Sequence, residues 1–555
     1  MQANPVRICE YLNGEKQNLI PVFQRPYSWK QDKWETLWQD IIQVYDDLDR
    51  PKPKHFMGAI VSMPQSSVPV GVNKHLIIDG QQRLSTMCLL LCAIRDFERT
   101  SEKTKNRILG YLTNQHFENS PDYLKFVPTN LDRDVYKAIV TNPASTHDMQ
   151  HTMINAYQEF LAKLQNYSGE ELLDIDELFD VIVQNLQVVM ISLDDVQDDP
   201  YLIFESLNNK GEPLVEADLV RNYIMMRFQH SDSQNGEQQH VYDEYWKPIE
   251  VAIKDKMTQF LRHYIHKNGI SVKRNCVYAS IKNALSNIQQ KDDLLAEIKN
   301  INVHSKSYEY FIYSDRHQNP VISSYLKMFD DLGMTTCYPL LLRLFQSFNE
   351  GVASIGELKN SLRLIEAFSI RRQICGVPSN SLDQIFVSWC KNYELPIDSS
   401  LWNFMREGTG NKRWPSDEEF SNNIRTRTVY GQKVTLQFLR RIEASFGHKE
   451  VASLEKATIE HIMPQTLSTE WREYLGTNCH IIYDRYCNTL GNLTLSAYNT
   501  ELSNDVFSIK RQRYEESNIE MNKRIARNLD WRESEISNRA SDIAVIACQT
   551  WKGLE

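Results

Sequence analysis

Two stretches of this sequence gather residue types that can do chemistry. One is Thr458-Ile459-Glu460-His461-Ile462-Met463-Pro464, with Leu490-Gly491-Asn492-Leu493-Thr494-Leu495, Asn499 and Lys510 downstream. A neutral histidine takes a proton from water near neutral pH and so generates a nucleophile. Glu460 and Asn499 carry the hard oxygens that Mg2+ prefers, and phosphate oxygens complete such a shell. The ion would stabilise charge on a phosphorane and on a departing 3′ oxygen. Lys510 can neutralise the attacked phosphate or its neighbour. A plainer reading stands beside this one: a lone histidine before an apolar run is a satisfied core residue, and an asparagine beside glycine is a turn. Adjacent strand residues face opposite ways, so Glu460 and His461 share an ion only if the strand ends there; Pro464 allows that.

The second stretch is Leu76-Ile77-Ile78-Asp79-Gly80-Gln81-Gln82-Arg83-Leu84-Ser85-Thr86. A strand runs into a glycine turn, and the turn opens a helix. Free N–H groups at that helix start bind anions, with Arg83, Ser85 and Thr86 in the first turn. Asp79 either holds a metal ion or orients an arginine, or it pairs with Arg83 in a purely structural corner; the spacing leaves both open. Upstream, Ile20-Pro21-Val22-Phe23-Gln24-Arg25-Pro26-Tyr27-Ser28-Trp29 sets a phosphate-seeking guanidinium beside rings able to stack on a base. No GxxxxGK[ST] occurs, which excludes a P-loop. Phe204 to Gly211 (FESLNNKG) reads as a helix end.

These residues need elements to hold them. Trp34, Leu37, Trp38, Ile41, Ile42, Tyr45 and Leu48 keep helical spacing; Phe56–Ser62, His75–Asp79 and Val188–Leu193 read as strands, and Leu84 to Phe97 as a helix. Residues 236–447 show helical periodicity with loops near 268–272, 378–381 and 408–416, and Glu366 with Arg371 and Arg372 reads as a helical ion-pair site. After about 448 the pattern turns to strand, loop, strand, helix. At 555 residues, several domains are expected. The chain is 41% apolar and 24% charged, which excludes a collagen-like or disordered protein. No apolar run is long enough to cross a bilayer and no secretory signal is evident. The ten scattered cysteines read as reduced thiols, so a cytoplasmic protein is expected. The net charge of −10 argues against a surface basic throughout. The acidic runs at 170–180 and 194–199 read as solvated faces, but Phe420–Arg441 has five basic residues and no acid.

IPVFQRPYSW, HFMGAIV, LIIDGQQRLSTM and FESLNNKGEPL, in that order over residues 5–230, resemble the N-terminal domain of GmrSD-type restriction endonucleases, a domain related to the ParB/sulfiredoxin fold. The resemblance implies binding and hydrolysis of a nucleoside triphosphate (GTP, ATP or another) and a part in sensing modified DNA. It implies roles for Arg25, Tyr27, Asp79, Gln81, Gln82 and Arg83, with Ser85 and Thr86 in the same turn. EHIMPQ, LGNLTLSAYN and FSIKRQRY resemble the C-terminal nuclease domain of that family and, more loosely, the HNH domain of CRISPR effector nucleases, a ββα-metal finger. Carried over, His461 is the general base, Glu460 and Asn499 are metal ligands, and Asn492 fixes the histidine loop. Arg413 to Phe420 resembles the family's approach to this domain. That supports reading Arg425, Arg427, Lys433, Arg440 and Arg441 as a phosphate-contacting patch.

The expected fold is multidomain and mainly α with α+β ends: a ParB/sulfiredoxin-like domain over 1–235, a helical middle region over 236–447, and an HNH-like nuclease domain over 448–555. The expected activity is that of a single-chain type IV, modification-dependent restriction enzyme. A nucleotide-binding domain gates an Mg2+- or Mn2+-dependent nuclease that cuts or nicks double-stranded phage DNA. No membrane partner is expected; a homodimer and a functional link to a host DNA-modification system are. Two rivals remain: a nucleotide-binding DNA sensor or regulator with an inactive finger, and a nuclease without nucleotide control.

Overall fold

The computed structural model describes residues 2–47, 54–65, 71–146, 149–167, 172–193, 215–228, 236–447, 454, 456–497 and 504–554. The acidic run at 194–199, the FESLNNKGEPL motif and Asn499 lie outside these residues. The chain forms two compact units, Met1–Lys247 with Ile281–Leu295, and Pro248–Ser280 with Ala296–Glu555. Most of the 236–447 segment therefore shares a unit with the region after 448.

The first unit is built on strands β1 (Gln2–Arg7), β2 (Lys16–Leu19), β3 (His55–Pro64), β4 (Asn73–Asp79), β5 (Phe126–Val127) and β6 (Leu186–Ser192). They form one mixed sheet in the order β1-β6-β3-β4-β2-β5. Its helices include α1 (Ile8–Leu12), α2 (Gln31–Asp46) and α3 (Gln81–Asp96). α2 turns Trp34, Leu37, Trp38 and Ile41 inward, as its periodicity requires. α3 is buried from Leu84 to Arg95, which is why Leu89-Leu90-Leu91-Cys92-Ala93-Ile94 carries no polar face. Between β4 and α3, Gly80 has φ +96°; a side chain there would press on Ala59 O at 2.9 Å. β3 shifts register between Phe56 and Ala59, with Gly58 at φ +103°. That bulge lets the Arg83 side chain lie against the strand, because a Cβ on Gly58 would stand 2.9 Å from Arg83 Nε.

Among the described residues the second unit is helical except for an antiparallel ribbon, β7 (Thr458–His461) and β8 (Leu493–Ser496), paired Glu460 to Thr494 and His461 to Leu493. Asn492 lies outside the second strand: it closes a 3-10 turn, Leu490–Asn492, just before it. The helix after the ribbon is Phe507–Glu515. Ile462, Met463, Trp471, Phe507, Trp531 and Ile536 share the local core. The expected ion pairing within the Ile355–Ile374 helix is replaced by longer-range pairing. Arg371 binds Asp417 and the carbonyls of Trp551 and Pro415, Arg372 binds the carbonyls of Asn411 and Pro378, and Glu366 takes Arg441 and Trp551 Nε1. All three side chains are buried, and each is held by fixed partners. All ten cysteines are free. Among the described residues no helix is long and apolar enough to cross a membrane.

Candidate functional site

His461 ends β7 and is 7% exposed. Its Nε2 lies 3.1 Å from Asn488 Oδ1, and the Tyr430 ring meets the imidazole edge to face with centroids 4.3 Å apart. Burial lowers its pKa below the usual value, and Lys510 adds to this while the Asn488 bond opposes it. The imidazole is therefore neutral at neutral pH, the state a general base needs.

The turn after His461 is held by Asn492, which is fully buried. Its Oδ1 accepts from Met463 N at 2.8 Å and from Trp531 Nε1 at 3.1 Å. Its Nδ2 donates to Met463 O at 2.8 Å and Cys487 O at 2.9 Å. All the hydrogen-bonding capacity of the amide is thus committed to the loop, so Asn492 positions the site and cannot touch substrate. Arg539 braces the same turn, donating to the carbonyls of Leu490, Gly491 and Leu493 at 2.8 Å each; burial pushes its pKa down to about 10.

Lys510, expected at the phosphate, is instead fully buried beneath the ribbon, 2.7 Å from Glu460 Oε1 and 2.7 Å from His461 O. A lysine so enclosed cannot meet DNA; it cross-links the Phe507–Glu515 helix to β7. Glu460 and His461 leave opposite faces of a strand that runs through both, and Glu460 turns to Lys510. Burial raises the Glu460 pKa and lowers that of Lys510, each opposed by the other's charge. Among the described residues no group of three His, Cys, Asp or Glu side chains is placed to hold a metal ion. Glu460 alone, already engaged by Lys510, does not make a metal site.

The basic patch is likewise divided. Arg427 donates to Gln373 O and Ile374 O at 2.6 Å each, capping the Ile355–Ile374 helix; Gly376, at φ +67°, leaves room for it. Arg441 is held by Glu366 at 2.8 Å and lies over the Tyr325 ring. Arg440 reaches Ala457 O at 3.4 Å. These three are structural. Arg425 and Lys433 are exposed and remain candidates for phosphate.

In the first unit, Gln24 Nε2 donates to Ile78 O at 3.1 Å and Gln81 Nε2 to Gln24 Oε1 at 3.0 Å. Gln82 accepts from Ser28 N at 2.9 Å and donates to Pro26 O at 3.2 Å. The two glutamines thus fasten the 24–29 loop to the first turn of α3. Tyr27 is buried; its OH lies 2.7 Å from Thr86 Oγ1, and Trp34 Nε1 donates to it at 2.7 Å. Ser85 returns its hydroxyl to Gln81 O at 2.7 Å. Tyr27, Gln81, Gln82, Ser85 and Thr86, expected at nucleotide, thus use their side chains to hold the fold together. Arg83 donates to Ala59 O at 2.8 Å and stands 3.7 Å from Asp79, the structural corner of the two open readings. Arg25 differs. Its Nε is buried with no hydrogen-bond partner, and its neighbours on both sides are tied to the start of α3. That helix has no side-chain cap. Arg25 therefore carries a buried guanidinium nitrogen without a partner, on a loop tied to the uncapped start of α3.

The sequence reading missed Asn488, Tyr430, Trp531 and Arg539. None stands at a helical or strand interval from His461, so periodicity carried no signal; only the folded turn brings them together.

Two family domains match the chain. Residues 8–225 match the N-terminal domain of the GmrSD restriction endonuclease, and residues 414–546 match the C-terminal domain of GmrSD restriction endonucleases. Both are domains of DNA endonucleases that act in restriction. The chain belongs to the GmrSD restriction endonuclease family, with both domains on a single polypeptide. No protein of curated function matches it.

Proposed function

We propose that the chain hydrolyses phosphodiester bonds of double-stranded phage DNA with His461 as general base, under the control of a nucleoside triphosphate bound by the N-terminal unit. The observation that carries the first part is the neutral imidazole of His461, buried and oriented by Asn488 and Tyr430 at the end of a ribbon that Asn492 locks. Strand, strand and helix follow in the order of an HNH finger. In the reaction His461 takes the proton of a water whose oxygen bonds to phosphorus; the phosphorus–oxygen bond to the leaving nucleotide breaks, and the departing oxygen takes a proton from solvent. Arg425 and Lys433 bind flanking phosphates. Dependence on Mg2+ or Mn2+ belongs to the proposal through the family alone, because Glu460 is taken by Lys510; chelation by EDTA and restoration by Mg2+ test it.

The nucleotide half rests on the unpartnered Nε of Arg25, on the loop that Gln81 and Gln82 tie to the uncapped start of α3. GTP, ATP or another triphosphate would place a phosphate there. The N-terminal domain is taken as ParB-like, and modified DNA as the trigger. The deciding experiment is cleavage of matched unmodified, glucosylated and phosphorothioated DNA with Mg2+, with and without each triphosphate. His461→Ala is expected to abolish cutting and spare triphosphate hydrolysis. Cutting that ignores both nucleotide and modification would refute the gating.

A further inference from the structure

We propose that Asn488 is a positioning residue that sets the tautomer of His461. Its side-chain oxygen accepts from Nε2–H, which leaves Nδ1 as the unprotonated nitrogen that receives the proton from water. This rests on the reading of His461 as base and goes beyond it by naming the reacting atom and the residue that selects it.

Neutral imidazole has one donor and one acceptor nitrogen, and the partner of one fixes the role of the other. Among the described residues the only hydrogen bond to the ring is the 3.1 Å contact between Nε2 and Asn488 Oδ1. An amide oxygen only accepts, so the proton of this pair resides on Nε2. Tyr430, edge on at 4.3 Å, walls the ring and resists the flip that would exchange its nitrogens. Asn488 is itself held by its backbone. Its carbonyl accepts from Val429 N at 3.0 Å and Tyr430 N at 3.3 Å, and the next residue, Thr489, bridges to Thr428. One short staple between two loops therefore presents both the acceptor and the wall. Because the staple uses only main-chain atoms of Asn488, a substitution there removes the acceptor and keeps the scaffold. Asn492 is four residues away in sequence and makes the turn rigid from below, so Asn488 has little freedom to follow a displaced ring.

The test uses the full chain with Asn488→Leu, which is nearly isosteric and has no acceptor, Asn488→Asp, which keeps only acceptors, and His461→Ala. Steady-state cleavage is measured on whichever of the unmodified, glucosylated or phosphorothioated plasmids the unsubstituted protein cuts with Mg2+. Ring tautomers are read by NMR of 15N-histidine-labelled protein without metal, with the His461 signals assigned by their loss in His461→Ala. Asn488→Leu is expected to lower kcat roughly 10- to 100-fold with KM unchanged, and to convert an Nε2–H ring into a tautomer mixture. Asn488→Asp is expected to keep kcat near the starting value and the Nε2–H form. Should the leucine variant lose its thermal transition, Asn488→Ala replaces it. The proposal is overturned if the unsubstituted ring carries its proton on Nδ1. It is overturned equally if Asn488→Leu keeps both kcat and tautomer while His461→Ala is inactive. Full activity of His461→Ala would instead remove the base reading itself, and the proposal with it.

Discussion

Replacing Lys510 by methionine tests whether that lysine is structural. In the folded protein it is fully buried, with its ammonium 2.7 Å from Glu460 and 2.7 Å from His461 O. Methionine keeps much of the length and removes the charge. Glu460 is then a buried carboxylate without its counterion, and breaking such a pair from one side costs about 3–5 kcal/mol. Since about 1.4 kcal/mol is a factor of ten, amides of 458–464 and 493–496 are expected to exchange hydrogen roughly 100- to 4000-fold faster than in the unsubstituted chain. Exchange followed by mass spectrometry reports this locally, without assuming that a chain of two units unfolds in one step. The pH dependence has a definite sign. Burial already raises the Glu460 pKa, and the Lys510 charge opposes that rise; without Lys510 it rises further. A carboxyl with a folded pKa above its unfolded value stabilises the fold as pH falls through the window between them. The defect of Lys510→Met therefore shrinks on going from pH 7 toward the unfolded pKa of Glu460. Adding Glu460→Leu should recover most of the loss, because a matched apolar pair is often as stable as a buried ion pair. Exchange in Lys510→Met within about threefold of the original, or a double variant no better than the single, would refute the structural assignment.

Three other outcomes follow from the sites. His461, with its pKa lowered by burial, predicts cleavage that holds at neutral pH and fails on an acid limb below the ordinary histidine value; a pH–rate profile that ends above it counts against this base. Arg25→Ala should abolish nucleotide binding in a titration. Tyr27→Phe should leave affinity intact while costing about 1–3 kcal/mol of stability, because it strips a buried hydroxyl from Trp34 and Thr86. Removing Arg425 or Lys433 should reduce the slope of log affinity against log salt by about 0.9 for each phosphate no longer neutralised; Arg427→Ala, which uncaps a helix, should lower stability and leave the slope unchanged.

The sequence was informative about elements and less so about the side chains that meet in space. Short apolar runs identified β3, β4 and β6, and helical spacing identified α2 and α3. The DGQQR run reads as facing nucleotide, yet Gln81 and Gln82 hold a loop and Arg83 fills the space above Gly58. A polar residue in a motif can be required by the backbone it ties, and residue type alone does not separate that from ligand binding. The same ambiguity misplaced Lys510: a lysine on a helix after the ribbon suits phosphate, but its partner Glu460 lies fifty positions earlier, beyond any local rule. Arg427 and Arg441 read as a patch because no acid falls within Phe420–Arg441; the carbonyls of Gln373 and Ile374 and the carboxylate of Glu366 answer them in space.

That dependence on distant partners bears on whether residues 448–555 form a domain by themselves. Trp551, nearly fully buried, stacks on Phe438 with centroids 4.7 Å apart, donates to Glu366 and receives a bond from Arg371 on its carbonyl. Those partners all precede 448, as does Tyr430 against His461. Excision at 448 would uncover the indole, and restoring roughly 150–250 Å2 of apolar surface to water costs about 4–6 kcal/mol. That is comparable to the whole stability of many domains, about 5–15 kcal/mol. It would also remove the wall beside the imidazole. A fragment of 448–555 is therefore expected to lack a cooperative thermal transition and to cut no DNA, whereas one of 355–555 retains the partners of both Trp551 and His461 and should melt cooperatively. A cooperative, catalytically competent 448–555 fragment would show that the finger needs nothing upstream, and that the packing of Trp551 and Tyr430 contributes little to either fold or base.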